Sequence, residues 1–160
     1  MMRLLLKNLL FTLVVPGTVG VYVPLFLARD RPAAAGLMFL FALVLLALGS
    51  VIYAWCVWDF AVFGRGTPAP IDAPKKLVVR GLYRYTRNPI YLGVLTVLLG
   101  WVVMFQGALL IYTFCVGICF HLFVVFYEER GLERQFGAEY HDYCERVGRW
   151  LPRFRRRQAG

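Results

Sequence analysis

Residues 88–127 read NPIYLGVLTVLLGWVVMFQGALLIYTFCVGICFHLFVVFY, 40 consecutive positions without Asp, Glu, Lys or Arg. A helix crossing the hydrocarbon layer of a bilayer needs about 20 residues, so this run holds two spans. Phe105-Gln106-Gly107, near its centre, supplies a polar side chain and a glycine where a tight turn must fall. The reading is an antiparallel hairpin, about 89–105 and 108–127. Its two ends return to one membrane depth.

The same pattern extends towards the N-terminus. No charged residue lies between Lys7 and Arg29 or between Arg31 and Asp59, gaps of 21 and 27 residues. These give two further spans, about 8–28 and 33–58. The first run is longer than the 7–15-residue apolar core of a secretion signal and lacks a small-x-small cleavage site, so it is read as a span. With 160 residues, 60% of them hydrophobic, and a mean hydropathy of +0.63, the chain is expected to be one all-α domain. The expected fold is a multi-pass membrane helical bundle. Residues 1–60 supply two spans, 61–88 a loop, 89–127 the hairpin and 128–160 an amphipathic segment.

Net charge is +9, and topology accounts for it without nucleic acid. Arg3 and Lys7, six basic residues between 65 and 87, and eight from 130 onward fall on one side, against Arg29 and Arg31 on the other. That bias places both termini and the loop in the cytoplasm, at the inner membrane if the source is bacterial. The cluster Arg153, Arg155, Arg156 and Arg157 is positioned to touch anionic headgroups. Cys56, Cys115 and Cys119 lie inside spans and Cys144 outside, which argues against a disulfide framework. Cys115, Cys119 and His121 do not share one helix face, so no metal site is expected.

Residues 64–76 contain Pro68, Pro70 and Pro74 and read as an irregular connector. Leu77-Val78-Val79 should press the chain back onto the bundle or the membrane interface. Residues 81–93, GLYRYTRNPIYLG, then gather two arginines, three tyrosines and an Asn-Pro step. Proline at a first helical position makes Asn88 the expected N-cap. Arg84 and Arg87 beside that helix end suit a carboxylate or phosphate. They also suit membrane anchoring.

The last span, 108–127, runs out into Tyr127-Glu128-Glu129. Adjacent carboxylates there oppose the helix dipole, and neighbouring side chains point about 100° apart. The pair can accept hydrogen bonds from two groups of one ligand, or it can pair with nearby arginines. The hairpin brings it to the depth of Arg87, and an anion pocket beside carboxylates suits a zwitterion. His121 lies about 10 Å deeper at ~1.5 Å rise per residue. It serves either a site or an interhelical hydrogen bond. Leu132, Phe136, Tyr140, Tyr143 and Val147 follow helical spacing and form an amphipathic lid, with breaks expected at Gly131 and Gly137. Trp150-Leu151-Pro152 re-anchors the chain.

Tyr83-x-x-x-Arg87-Asn88-Pro89-x-Tyr91-x-Gly93, then Glu128-Glu129-x-x-Leu132-x-x-x-Phe136-Gly137-x-x-Tyr140-x-x-Tyr143, Val147 and Leu151-Pro152, resembles the isoprenylcysteine carboxyl methyltransferase and phospholipid methyltransferase superfamily. The likeness covers roughly residues 75–153. It implies an integral membrane enzyme that uses S-adenosylmethionine and a lipophilic acceptor from the bilayer. Carried over, Tyr83, Arg87, Asn88, Tyr91 and Gly93 line the cofactor pocket, and Glu128 and Glu129 hold its polar groups. Arg84 and His121 are candidates for contact with the acceptor; no catalytic base is assigned. Asn88 stands where many carboxyl methyltransferases have histidine, and the arginine that eukaryotic members carry shortly before the glutamates is missing. Both departures limit what the resemblance implies about the acceptor; Asn-Pro-x-Tyr-x-Gly and Tyr-Glu-Glu look more like phospholipid N-methyltransferases, and they also recur in bacterial members of unassigned substrate. Two rivals stand beside this reading: a sterol-reductase-like membrane enzyme, for which a second phosphate motif is wanting, and a non-catalytic lipid-binding protein in which the charges simply pair.

Overall fold

The computed structural model describes residues 2–64 and 76–153. The connector expected over 64–76 and the terminal Arg155, Arg156 and Arg157 lie almost wholly outside them. Helices make up most of the described residues: α1 (Met2–Gly17), α2 (Val23–Ala28), α3 (Gly36–Asp59), α4 (Pro89–Phe105), α5 (Ala108–Phe123), α6 (Glu129–Phe136) and α7 (Ala138–Arg146). Leu9–Ala28, Gly36–Phe63 and Ala108–Phe136 are long and apolar enough to cross a membrane, and Pro89–Phe105 is a shorter apolar helix. The chain is a multi-pass membrane helical bundle. Its 17-residue helix sits at the lower limit of a spanning length and occupies the middle. Pro89, Gly93, Val94, Leu98, Gly100 and Met104 of α4 are all buried, whereas α1, α3 and α5 turn leucine, valine and phenylalanine outward.

Close approach of α3 and α4 depends on absent side chains. A Cβ built on Gly49 would lie 2.6 Å from the Gly93 carbonyl oxygen and 2.6 Å from the Val97 nitrogen. A Cβ on Gly100 would lie 3.0 Å from the Leu46 nitrogen. Small residues that let backbones touch are a usual device of membrane helix pairs.

Between α1 and α2 the helix widens into a π turn, Thr18–Tyr22. Proline at 24 cannot donate to the carbonyl four residues back, which is Gly20, and Val23 N–H reaches Thr18 O instead of Val19 O. Both carbonyls find donors on other helices. Trp101 Nε1–H donates to Gly20 O at 2.9 Å, and Tyr112 O–H donates to Val19 O at 2.9 Å. The π turn beside Pro16, Gly17 and Pro24 thus leaves two carbonyls free of the usual helical bond, and neighbouring helices satisfy them.

The hairpin turn falls where expected. Gln106 and Gly107 both take positive φ, 56° and 63°, and the Arg31 guanidinium packs over Gly107. At the opposite end, Asp59 is 3% exposed. One of its oxygens lies 3.8 Å from Arg80 Nε, and the other packs against Gly81, whose φ is 54°. This contact fastens the short 3₁₀ turn Gly81–Arg84 to the end of α3. Val78 joins Cys56 and Tyr83 beneath it, while Leu77 and Val79 join Tyr140, Tyr143 and Val147. The Leu77-Val78-Val79 segment therefore does press back onto the bundle.

Of the two breaks expected in the lid, only Gly137 is one, with φ 49° between α6 and α7. Helix α6 runs through Gly131 without interruption. Nothing lies within 4 Å of a Cβ placed on Gly131. Gly131→Ala is accordingly expected to stabilise the protein by about 0.5–1 kcal/mol, because alanine loses less backbone freedom on forming the helix. Thermal unfolding in detergent measures it.

Candidate functional site

The first turn of α4 does not use its expected cap. Asn88 precedes Pro89, but its side chain makes no capping bond. It donates from Nδ2 to the Arg149 carbonyl at 3.0 Å, and Thr86 Oγ1–H donates to the same oxygen at 3.0 Å. Arg87 N–H donates to Gly148 O at 2.9 Å. Three consecutive residues, 86 to 88, therefore hold the segment after α7 like a short strand, with Thr86 and Gly148 in parallel register. This strap carries Arg149 and Trp150 across the ends of α4 and α5. Arg153 adds bonds to the last carbonyls of α7, Cys144 O and Glu145 O, at 3.1 and 3.0 Å.

A further π turn, Val124–Glu128, interrupts the helix and ends on the first of the two carboxylates. They leave it in different directions. Glu128 Oε2 accepts from Tyr91 O–H at 2.6 Å. Glu129 takes a two-pronged bond from Arg149, Nε and Nη2 each at 2.8 Å, and pairs with Arg87 Nη1 at 3.1 Å. Two guanidinium groups thus meet one carboxylate. Hydrogen bonding to Glu129 holds Arg149 above the ordinary arginine range.

Arg87 is the buried member, with 11% of its side chain exposed. Its Nη1 also contacts Cys144 Sγ at 2.7 Å and Tyr140 Oη at 3.4 Å. Its Nε is buried without a partner among the described residues. Burial pushes the phenols of Tyr83, Tyr140 and Tyr143 up from their ordinary values. Tyr143 uses its hydroxyl to hold the Tyr83 carbonyl at 2.7 Å, joining the lid to the 3₁₀ turn.

Aromatic rings close the bilayer-facing side. Tyr91 packs on Phe120 at 4.8 Å and on Trp150 at 6.5 Å between centroids. Trp150 reaches on to His121, donating from Nε1 to Nδ1 at 3.2 Å. Cationic forks, carboxylates and ring faces thus meet at the open end of the hairpin.

A model of the phospholipid methyltransferase family matches residues 37–139, well over half of the chain. The chain belongs to the phospholipid methyltransferase family. Methyl transfer at a membrane is therefore its chemistry. No curated protein and no solved structure matches it.

The methyltransferase brings Arg87, Asn88, Tyr91, Glu128 and Glu129 together at one end of the bundle. Tyr83 is buried one layer behind, against Cys56 and Phe60. Gly93 and Arg84 are not brought in. Gly93 faces α3, where a Cβ would stand 3.0 Å from Tyr53 N. Arg84 is exposed. His121 is also exposed and joins only through Trp150. The residue that sequence reasoning missed is Arg149, which lies beyond the matched region. Its available signal was a lone arginine between Gly148 and Trp150, directly after the amphipathic lid and before Pro152. Counted only as one more positive-side charge, it did not stand out.

Proposed function

We propose that the protein transfers a methyl group from S-adenosylmethionine to the amine of a membrane phospholipid, with the charged end of the bundle facing the cytosol. One observation carries this reading: Arg87, Glu129 and Arg149 converge beside the Tyr91–Glu128 pair at the mouth of the hairpin. The cofactor's methionine end is a zwitterion, and this donor set fits it. Arg87, with a buried Nε left without a partner among the described residues, and Arg149 suit a carboxylate. Glu128 and Glu129 suit an ammonium and ribose hydroxyls, and the faces of Tyr91, Phe120 and Trp150 suit a purine.

S-Adenosylmethionine supplies a methyl already activated on a sulfonium. The chain's own task is then to position and to exclude water. Thr86, Arg87 and Asn88 hold the strap over the site, and the strap sets Trp150 against Tyr91. Asn88 acts through the strap. Outward-facing α1, α3 and α5 leave the acceptor a lipid route to the aromatic side. The phospholipid amine is preferred over an isoprenylcysteine-like carboxylate because the matching family is that of phospholipid methyltransferases.

Calorimetry with S-adenosylhomocysteine on the detergent-solubilised protein tests this reading. The wild type is expected to bind. Glu128→Gln should weaken binding by roughly tenfold to a hundredfold, the range of a lost hydrogen bond to a charged group. Absence of binding by the wild type, or affinity unchanged in both Glu128→Gln and Arg87→Ala, would sink the methyltransferase site. Labelled methyl transfer into a lipid extract, set against a prenylcysteine analogue, tests the acceptor.

A further inference from the structure

His121 is the odd residue on the outer surface of α5. It sits among exposed Phe114, Ile118, Leu122 and Phe123, on a face otherwise suited to acyl chains. A polar N–H turned into hydrocarbon without a partner costs several kcal/mol in order of magnitude, so something should meet it. Trp150 meets half of it. Indole Nε1 can only donate, so the 3.2 Å bond from Trp150 makes Nδ1 of His121 the acceptor. A ring nitrogen that accepts carries no proton, and the neutral ring must then hold its proton on Nε2. No described residue takes that Nε2–H.

Depth narrows what can. His121 precedes Glu128 by seven positions, about 10 Å at ~1.5 Å rise per residue. The headgroup region on each side of a bilayer is about 5–8 Å thick, the difference between a total of ~40–45 Å and a ~30 Å hydrocarbon core. With the carboxylates at the water-facing rim, His121 lies where headgroup gives way to acyl chain. The groups native to that depth are phosphate and ester carbonyl oxygens, which accept hydrogen bonds and do not donate.

We infer that His121 is a positioning residue for the acceptor: its Nε2–H, fixed by Trp150, donates to a phosphate or ester oxygen of the phospholipid whose amine is methylated. This rests on the phospholipid reading above and gives His121 a role opposite to that of a base. A base needs a bare nitrogen facing the substrate, and Trp150 occupies the bare one.

Nitrogen-15 spectra of the full chain in detergent test the placement directly. The protein has two histidines, and His141→Asn leaves His121 alone. The expected spectrum near neutrality has a protonated Nε2 and an unprotonated Nδ1. Addition of a short-chain phosphatidylethanolamine should shift Nε2, and the glycerol-free prenylcysteine analogue should not. A proton on Nδ1, or no response to the phospholipid, overturns the inference. In turnover assays His121→Phe should raise the acceptor KM about tenfold, the loss of one hydrogen bond, with kcat kept. His121→Gln, which retains an N–H, should recover part of it. A hundredfold fall in kcat at unchanged KM would make His121 a base and defeat the proposal. Failure of S-adenosylhomocysteine to bind would defeat the cofactor site and leave the spectral response to phospholipid standing, so the two failures are separable.

Discussion

Glu129→Gln is expected to weaken S-adenosylhomocysteine binding by roughly a hundredfold and to lower the melting temperature of the ligand-free protein. Among the described residues, Glu129 is the carboxylate that both Arg87 and Arg149 engage. Glutamine keeps its shape but turns one acceptor into a donor and removes the charge. Removing one partner of a desolvated charge pair costs about 2–5 kcal/mol, much of it the penalty on the partner left behind. The partner here is Arg87, whose side chain is 11% exposed, against 36% for Arg149. Solvent screening at Arg149 and the contact of Arg87 with Tyr140 reduce the folding cost, so about 1–3 kcal/mol of stability should be lost rather than the full value for a buried pair. Arg149→Gln should cost less in stability, because its guanidinium reaches water once freed. Glu133→Gln, at an exposed pair with His141, should change stability by less than about 0.5 kcal/mol. If Glu129→Gln melts early and still binds with wild-type affinity, the cluster is a clasp, and the non-catalytic reading gains.

The spans were legible because lipid imposes a composition that soluble cores do not. The charge-free gaps placed the ends of α3, α4 and α5 within a few residues of their observed bounds and the end of α2 at Ala28, whereas α1 starts at Met2, six residues before the expected span; the Gln106-Gly107 turn was fixed by the arithmetic of a 40-residue run. Convergence of residue 87 with residues 128 and 129 followed from the hairpin alone. What the residues did not disclose is how neighbouring side chains divide their partners. Spacing separates Glu128 from Glu129 by about 100°, but it does not say that one meets Tyr91 and the other two arginines.

The capping role of Asn88 and the exclusion of Arg84 have the same cause. Local preference favours an N-cap bond, but the strap offers Asn88 a carbonyl acceptor 61 positions away, and a tertiary partner wins over a local one. Arg84 and Arg87 are equivalent in composition, and the 3₁₀ turn between residues 81 and 84 is what points one outward and the other in. Asp59 and Arg149 were legible only as charges. Their use depends on contacts with Arg80 and Glu129 that no periodicity carries.

Gly49→Ala is expected to be the most damaging glycine-to-alanine change along the α3–α4 seam, with a stability loss of about 1–3 kcal/mol or more. The new Cβ would meet Gly93 O and Val97 N, each at 2.6 Å, and Val97 Cγ2 at 2.8 Å. Flexible side chains can swing away from such contacts, but main-chain atoms of a neighbouring helix cannot, so α3 and α4 must separate. Gly93 and Gly100 lie on the same seam, and both helices lose contact along it. Because α4 begins at Pro89, directly after the residues that hold the strap, its displacement should also move Tyr91 away from Glu128. Weakened S-adenosylhomocysteine binding is therefore expected even at temperatures where Gly49→Ala remains folded. Gly117→Ala provides the contrast within the same membrane region, since its Cβ would meet only Leu95 Cδ2 at 3.8 Å, an ordinary contact. That variant should unfold at or above the wild-type temperature, because alanine favours the helix. Equal melting of the two variants would mean that the α3–α4 seam is not the joint that sets the site.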